Sequence, residues 1–317
     1  MEIIQFGWGE KVGGGAVVAL DAFDGLHPGH LAVIEEARAQ AKRLGAPLAV
    51  LSFEPFPRRM LQPHLPPFAL MNRDQEVRAL ARLGVDTFYV LVFSKIVTEQ
   101  SDDGFAQVLL RDSMAIRHAV ASARLTYGKE RTGSARTLQQ QGAHYGFGVS
   151  ILPPLVAADG NIYSADAVRA LIAQGRVRDA VAQLGRHFTI AGSVQHGAKL
   201  GRTIGFPTAN ISLGDYIRPE AGIYASVSQL EDGRRLPGLA YLGRRPTVDN
   251  GDERLEVFLY DFDGDLYGQP LETALVDFIR PDKTFDTFEA MQVQMENDRI
   301  VGRPIAFEAV SQVKFAR

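Results

Sequence analysis

A chain of 317 residues is long enough for about two domains, each with its own core. Its 46% hydrophobic and 22% charged residues are ordinary for a globular protein, and a net charge of −3 offers no electrostatic basis for general nucleic-acid binding. The absence of cysteine excludes disulfides, a thiolate nucleophile and cysteine-ligated zinc or iron–sulfur centres. No charged segment followed by an apolar stretch opens the chain and no apolar run reaches bilayer length, so the expectation is a soluble cytoplasmic protein with no membrane partner.

In chain order, residues 16–20, 48–53, 88–93 and 149–152 read as buried strands. Between the first two, Leu31, Ile34, Ala37, Ala41 and Leu44 recur at helical spacing, and Gly45 follows as a stop. This alternation predicts a parallel sheet covered by helices. Helices are predicted over 165–174, ending at Gly175, and over 178–184. Beyond residue 186 the rhythm changes. Segments 223–229, 236–242, 255–262 and 271–278 alternate inward and outward residues, separated by Asp232-Gly233, Gly243 and Asp263-Gly264. A closing helix is predicted over 285–298. The expected architecture is an α/β domain over 1–185, followed by a small antiparallel β-barrel over 186–317 with a C-terminal helix. There is no internal repeat.

Two segments carry chemistry. Phe23-Asp24-Gly25-Leu26-His27-Pro28-Gly29-His30 lies between the first predicted buried strand and the first long helix, where backbone N–H groups and the helix dipole favour an anion. His27 and His30 there could hydrogen-bond phosphate; the plainer alternative is that they cap the helix or bind a metal. Gly201-Arg202-Thr203-Ile204-Gly205-Phe206-Pro207-Thr208-Ala209-Asn210, with Lys199 upstream, joins glycines that admit phosphate to cations that neutralise it. On an extended segment Thr208 and Asn210 share a face, and their neutral oxygens suit a magnesium ion that keeps waters and nucleotide phosphates. The alternative is a surface turn before a short strand. Strand alternation places Glu256 with Phe258 and Tyr260, either as a general base or as a rim charge. Glu253, in the adjacent turn, is its nearest competitor. Gly128-Lys129-Glu130 lacks the spacing and the Ser/Thr of a Walker sequence.

Gly-Phe-Pro-Thr-Ala-Asn resembles the signature of riboflavin kinases. His27-Pro28-Gly29-His30, Phe53-Glu54-Pro55-Phe56-Pro57, Ser101 to Phe105 and Leu184-Gly185-Arg186 extend the resemblance to the bifunctional riboflavin kinase/FAD synthetase family over nearly the whole chain. It implies a Rossmann-like nucleotidyltransferase domain that transfers AMP from ATP to FMN, and a kinase barrel that phosphorylates riboflavin. It implies nucleotide binding by Phe23, Asp24, Gly29, Ser164 and Arg169 in the first domain, with His27 and His30 in catalysis. In the second it implies nucleotide binding by Gly197, Lys199, Gly201, Arg202 and Gly205, magnesium on Thr208 and Asn210, flavin near Arg280 and Phe258, and Glu256 as base. Arg280 has a plainer alternative, an ion pair with Asp277 or Asp282. Riboflavin, FMN and ATP are the implied ligands.

The first domain departs from the family's pattern. Asp21-Ala22 stands for Gly-Asn, Ser122 to Gly128 for Gly-x-Asp-Phe-Arg-Phe-Gly, and Ser164 to Arg169 brings in the carboxylate of Asp166 where a hydroxyl is expected. An unneutralised carboxylate against a triphosphate costs about 1–4 kcal/mol and each lost neutral hydrogen bond roughly 0.5–1.5 kcal/mol, so slow adenylyl transfer is expected. Two other readings follow: a monofunctional kinase with a structural or regulatory first domain, and a non-catalytic flavin-binding protein. The set Thr208, Asn210 and Glu256 speaks against the last, since binding alone needs neither metal ligands nor a base.

Overall fold

A computed structural model describes residues 1–158, 160–196, 206–243 and 253–315. The chain divides into two compact units, one of residues 1–65 and 77–163, the other of 66–76 and 164–317.

In the first unit, β1 (Glu2–Phe6), β2 (Val17–Leu20), β3 (Leu48–Glu54), β4 (Thr87–Val92) and β5 (His118–Ser122) belong to one sheet. A hairpin of β6 (Thr126–Tyr127) and β7 (Gly133–Ser134) precedes the sixth strand of that sheet, β8 (Gly148–Leu152). The order is β1-β4-β3-β2-β5-β8, every neighbour parallel. β2 and β3 are buried apolar runs, as strands covered on both faces must be, and this made them legible in sequence. β1 and β5 were not anticipated. β1 is an edge strand with polar Glu2 and Gln5, and β5 (His-Ala-Val-Ala-Ser) has two alanines and a single β-branched residue, so it carries little strand signal. From β2 the chain moves one way through β3 and β4, then crosses to the other side for β5 and β8. The loop after β2 therefore lies at the switch point of the sheet, where open α/β sheets form their ligand crevice.

In the second unit, β9 (Thr189–Ser193), β10 (Thr208–Ser212), β11 (Gly222–Leu230), β12 (Arg235–Leu242), β13 (Arg254–Leu259) and β14 (Pro270–Pro281) form an antiparallel sheet of order β10-β13-β12-β11-β14-β9. Its edges nearly meet: Gln195 N donates to Asn210 O at 2.8 Å, just beyond β9. Alternation sorts the side chains. Leu255, Val257 and Leu259 enter an inner core with Ile190, Ile211 and Tyr224, while Phe258 and Tyr260 pack with Ala225 and Val227 against the helix Phe288–Ala309. β13 ends at Leu259, short of the predicted 262, and Asp261 just beyond takes a left-handed φ of 53°.

The C-terminal helix runs to Ala309 instead of stopping at 298, through Gly302 and Pro304, both residues that usually interrupt helices. Tertiary packing outweighs that preference. A Cβ on Gly302 would lie 2.3 Å from Leu239 Cδ2, so glycine is what lets the helix press onto the barrel and bury Ala306 and Ala309. Helices Ala165–Ala173 and Val177–Leu184 form as predicted and bury Val168, Ile172, Val177, Ala180 and Leu184 in the barrel's core.

Segment 66–76 joins this unit through buried polar contacts. Gln75, fully buried, donates to Thr189 Oγ1 at 2.8 Å and to Glu272 Oε1 at 2.9 Å, and accepts from Tyr216 OH at 2.5 Å. Burial pushes the Tyr216 hydroxyl's pKa up, keeping it a donor.

Candidate active sites

In the first unit the sequence Asp21 to His30 turns off the C-terminal end of β2 and starts the helix Pro28–Leu44. Proline at the first helical position lacks the N–H that a helix start leaves unpaired anyway. His27 caps the helix, its Nδ1 accepting from His30 N at 3.3 Å. The two imidazoles stack at 3.7 Å with an interplanar angle of 20°, and Phe23 meets His30 edge-on at 5.4 Å. A Cβ on Gly29 would lie 3.0 Å from the His27 ring. Phe23 and Leu26 adopt left-handed φ of 51° and 44°, backbone strain of the sort that collects at functional loops.

His30 is 4% exposed. Among the described residues nothing hydrogen-bonds its buried Nδ1, while its Nε2 lies 3.6 Å from Asp21 Oδ1. Burial pushes the Asp21 carboxyl up, but the hydrogen bond and charge of His30, aided by the Ala22 N–H at 2.7 Å, outweigh it and hold the group below its ordinary value. The capping alternative for His27 is thus realised, alongside a paired imidazole cluster able to meet an anion.

Ser164 and Arg169 belong to the second compact unit and are described within it. Ser164 caps the helix Ala165–Ala173, accepting from Ala167 N at 3.2 Å. Arg169 donates to Phe68 O at 2.9 Å and to Asp166 Oδ1 at 2.7 Å. The Asp166 carboxylate, expected to stand unneutralised, is paired one helical turn away with Arg169, because i and i+3 side chains share a helix face.

In the barrel, β10 and β13 pair so that Asn210 lies directly opposite Glu256 and Thr208 opposite Phe258. Paired residues of an antiparallel ladder project to one face, so the two candidate metal ligands and the candidate base share it. The row continues across the sheet: Glu256 opposes Tyr241, Tyr241 opposes Ile223, and Ile223 opposes Arg280. Phe258 lies between Phe206, tilted against it at 5.4 Å, and Tyr260, edge-on at 5.3 Å, giving the row an aromatic flank. Asn210 is 7% exposed, and its amide nitrogen donates to Thr208 O at 3.3 Å. Hard neutral oxygens on one strand with a carboxylate opposite fit magnesium, which takes few protein ligands and completes its shell with water and phosphate oxygens. Among the described residues no group of three or more His, Asp or Glu could by itself hold a metal.

Glu253, the nearest competitor of Glu256, is exposed and pairs with Arg218. Arg280 pairs with neither Asp277 nor Asp282. It forms a two-pronged ion pair with the buried Asp298 at 2.7 and 2.8 Å, and Gln294 adds a donor to the same carboxylate at 2.9 Å. Sequence reading missed Asp298 because it lies near the predicted end of a helix, where a carboxylate ordinarily faces water. Asp277 pairs with Arg178 at 2.9 Å, and Asp282 accepts from Tyr241 OH at 3.2 Å. Tyr241 was also missed; a lone tyrosine in a barrel strand carries no motif. Gly197, Lys199, Gly201, Arg202 and Gly205 lie outside the described residues.

A family model described as FAD synthetase matches residues 10–166, and one described as riboflavin kinase matches 184–305. Curated proteins named bifunctional riboflavin kinase/FMN adenylyltransferase are similar along most of the chain. That of Haemophilus influenzae is 34% identical over 90% of this chain and 92% of its own length. Those of Escherichia coli K12 and Pseudomonas fluorescens are 33% and 36% identical, over 91% and 92% of this chain and 92% and 93% of their own. A solved structure described as a macrolide-efflux protein from Streptococcus pneumoniae superposes with a TM-score of 0.83 at 29% identity, covering 96% of this chain and 99% of that one. No described helix of this chain is long and apolar enough to cross a membrane. The two family matches, on a fold of two compact units, place the chain in the class of flavin-nucleotide transferases. Within it, the chain belongs to the family of bifunctional riboflavin kinase/FMN adenylyltransferases.

Proposed function

We propose that this protein makes flavin cofactors in two steps, phosphorylating riboflavin to FMN with ATP at the barrel and adenylylating FMN to FAD at the parallel-sheet unit. We assign the second reaction to residues 1–185 and the first to 186–317, in line with the matched segments 10–166 and 184–305. Residues 66–76 and the helices over 165–184, on the first side of this division, pack with the barrel unit. The observation that carries the kinase reading is the direct opposition of Asn210 and Glu256 across β10 and β13.

In that reaction Glu256 accepts the proton of the ribityl primary hydroxyl as the oxygen attacks the γ-phosphorus, whose bond to the bridging oxygen breaks to release ADP. The aromatic flank of Phe206 and Phe258 offers the isoalloxazine an apolar face. Thr208 and Asn210 present their oxygens to magnesium, which when bound neutralises charge on the transferring phosphoryl group. Arg280 acts through the C-terminal helix: its ion pair with Asp298 holds that helix beside the row that carries Glu256.

At the other site the helix start and the stacked His27 and His30 receive the polyphosphate, stabilising charge on departing pyrophosphate without forming a covalent bond. Loss of the amide at Ala22 slows this step relative to phosphorylation. The cytoplasm, where ATP is plentiful, is the proposed location. Incubation with riboflavin, ATP and magnesium, followed by chromatographic separation of FMN from FAD, tests both steps. FMN without FAD removes adenylylation, and no FMN removes the kinase.

A further inference from the structure

His30 has two ring nitrogens, and the structure treats them differently. Nδ1 is enclosed, with no hydrogen-bond partner among the described residues. Nε2 is the nitrogen left to meet a ligand, and Asp21 Oδ1 stands 3.6 Å from it. Asp21 is the residue directly after β2, at the switch point of the sheet, and its side chain keeps 26% exposure, so the pair lies at the edge of solvent and not sealed in the core. The stacked His27 spends its Nδ1 on the helix cap.

We propose that Asp21 sets the affinity of the first unit's nucleotide site, its carboxylate engaging His30 Nε2 in competition with the polyphosphate of the incoming nucleotide. This rests on the adenylyltransferase reading above. A polyphosphate reaching His30 must displace a carboxylate that is already anionic and already in place, and like charges drawn to one imidazole repel each other. The contact is a built-in brake on binding, distinct from the loss of polar contacts elsewhere in the loop. Replacing Asp21 by asparagine keeps the acceptor for Ala22 N–H and removes only the charge, so the brake is separable from the loop's shape.

The test is a titration of the full chain with inorganic triphosphate, following the His30 imidazole resonances by NMR, with His30→Gln to assign them. Asp21→Asn should lower the half-saturating concentration about tenfold (~1.4 kcal/mol) at low salt. The gap should shrink to less than about twofold near 1 M salt, where the screening length is ~3 Å, a salt dependence that a purely structural role would lack. Asp21→Ser serves as a second neutral variant should the asparagine protein fold poorly. Equal or weaker binding by both variants, or a His30 signal indifferent to triphosphate in every protein, overturns the proposal. Conversion of FMN and ATP to FAD is followed separately. FAD formation with no change in the titration removes the role of Asp21 alone, whereas the expected titration with no FAD removes adenylylation and leaves the competition standing.

Discussion

The two sites differ in how their residues are brought together. In the parallel-sheet unit Asp21, His27 and His30 come from one short stretch, a loop and the first turn of its helix, so local backbone geometry alone gathers them. In the barrel, Asn210 and Glu256 come from strands far apart in sequence and meet only because β10 and β13 pair in one register. A contiguous loop can keep its shape while a single substitution, such as aspartate at position 21, changes its electrostatics. A cross-strand site is harder to alter piecemeal, since a one-residue slip would turn Asn210 or Glu256 to the opposite face.

The sharpest way to break this comparison is to remove one group from each site. Glu256→Ala should slow FMN formation by roughly 10²–10⁴-fold, the usual contribution of a general base, while riboflavin binding followed by fluorescence persists. His30→Ala should lower FAD formation from FMN by about 10²–10³-fold and leave FMN formation running. If each variant loses both products, the sites are not independent.

Next in size is the ion pair behind the barrel's row. Arg280→Ala leaves Asp298 buried without its cation and should destabilise the protein by about 3–5 kcal/mol in urea unfolding. A stable variant with a raised KM for riboflavin would instead return Arg280 to the flavin site.

Smaller effects sharpen the picture of the loop. Because the Asp21 carboxyl is held below its ordinary value of 3.8, its stabilising contribution is complete above that pH and is lost as pH falls through the lowered folded value. Asp21→Asn should therefore show a shallower acid loss of stability, by less than about 1 kcal/mol, in unfolding midpoints measured from neutral pH downward. Asp166→Thr, which leaves Arg169 its bond to Phe68 O and removes an exposed partner, should change FAD formation least, by no more than a few-fold in initial rate.

Much of this was legible before the structure. Residues 17–20 and 48–53 are apolar runs of strand length, and Leu31 to Leu44 repeats at helical spacing before Gly45. Asp232-Gly233 marks the β11–β12 hairpin, whereas Asp263-Gly264 leads into β14, which pairs with β11 and not with β13. Less legible were β1, β5 and the end of the last helix, where edge position, alanine content or a proline masks the local signal.

The sequence by itself determined the two-part architecture, the histidine-bearing loop at the first long helix, and the residue types of the candidate kinase row. It could do so because periodicity, glycine placement and a proline at a helix start are local properties of the chain. Only the tertiary structure decided which charges meet. It brought Glu253 to Arg218 and Asp298 to Arg280, and set Glu256 opposite Asn210, whereas Asp21 with His30 and Asp166 with Arg169 meet within one loop and one helical turn. Charge pairing acts through space over a few ångströms, so a carboxylate's neighbour, and with it the carboxylate's role, depends on the folded path of the chain and not on its order.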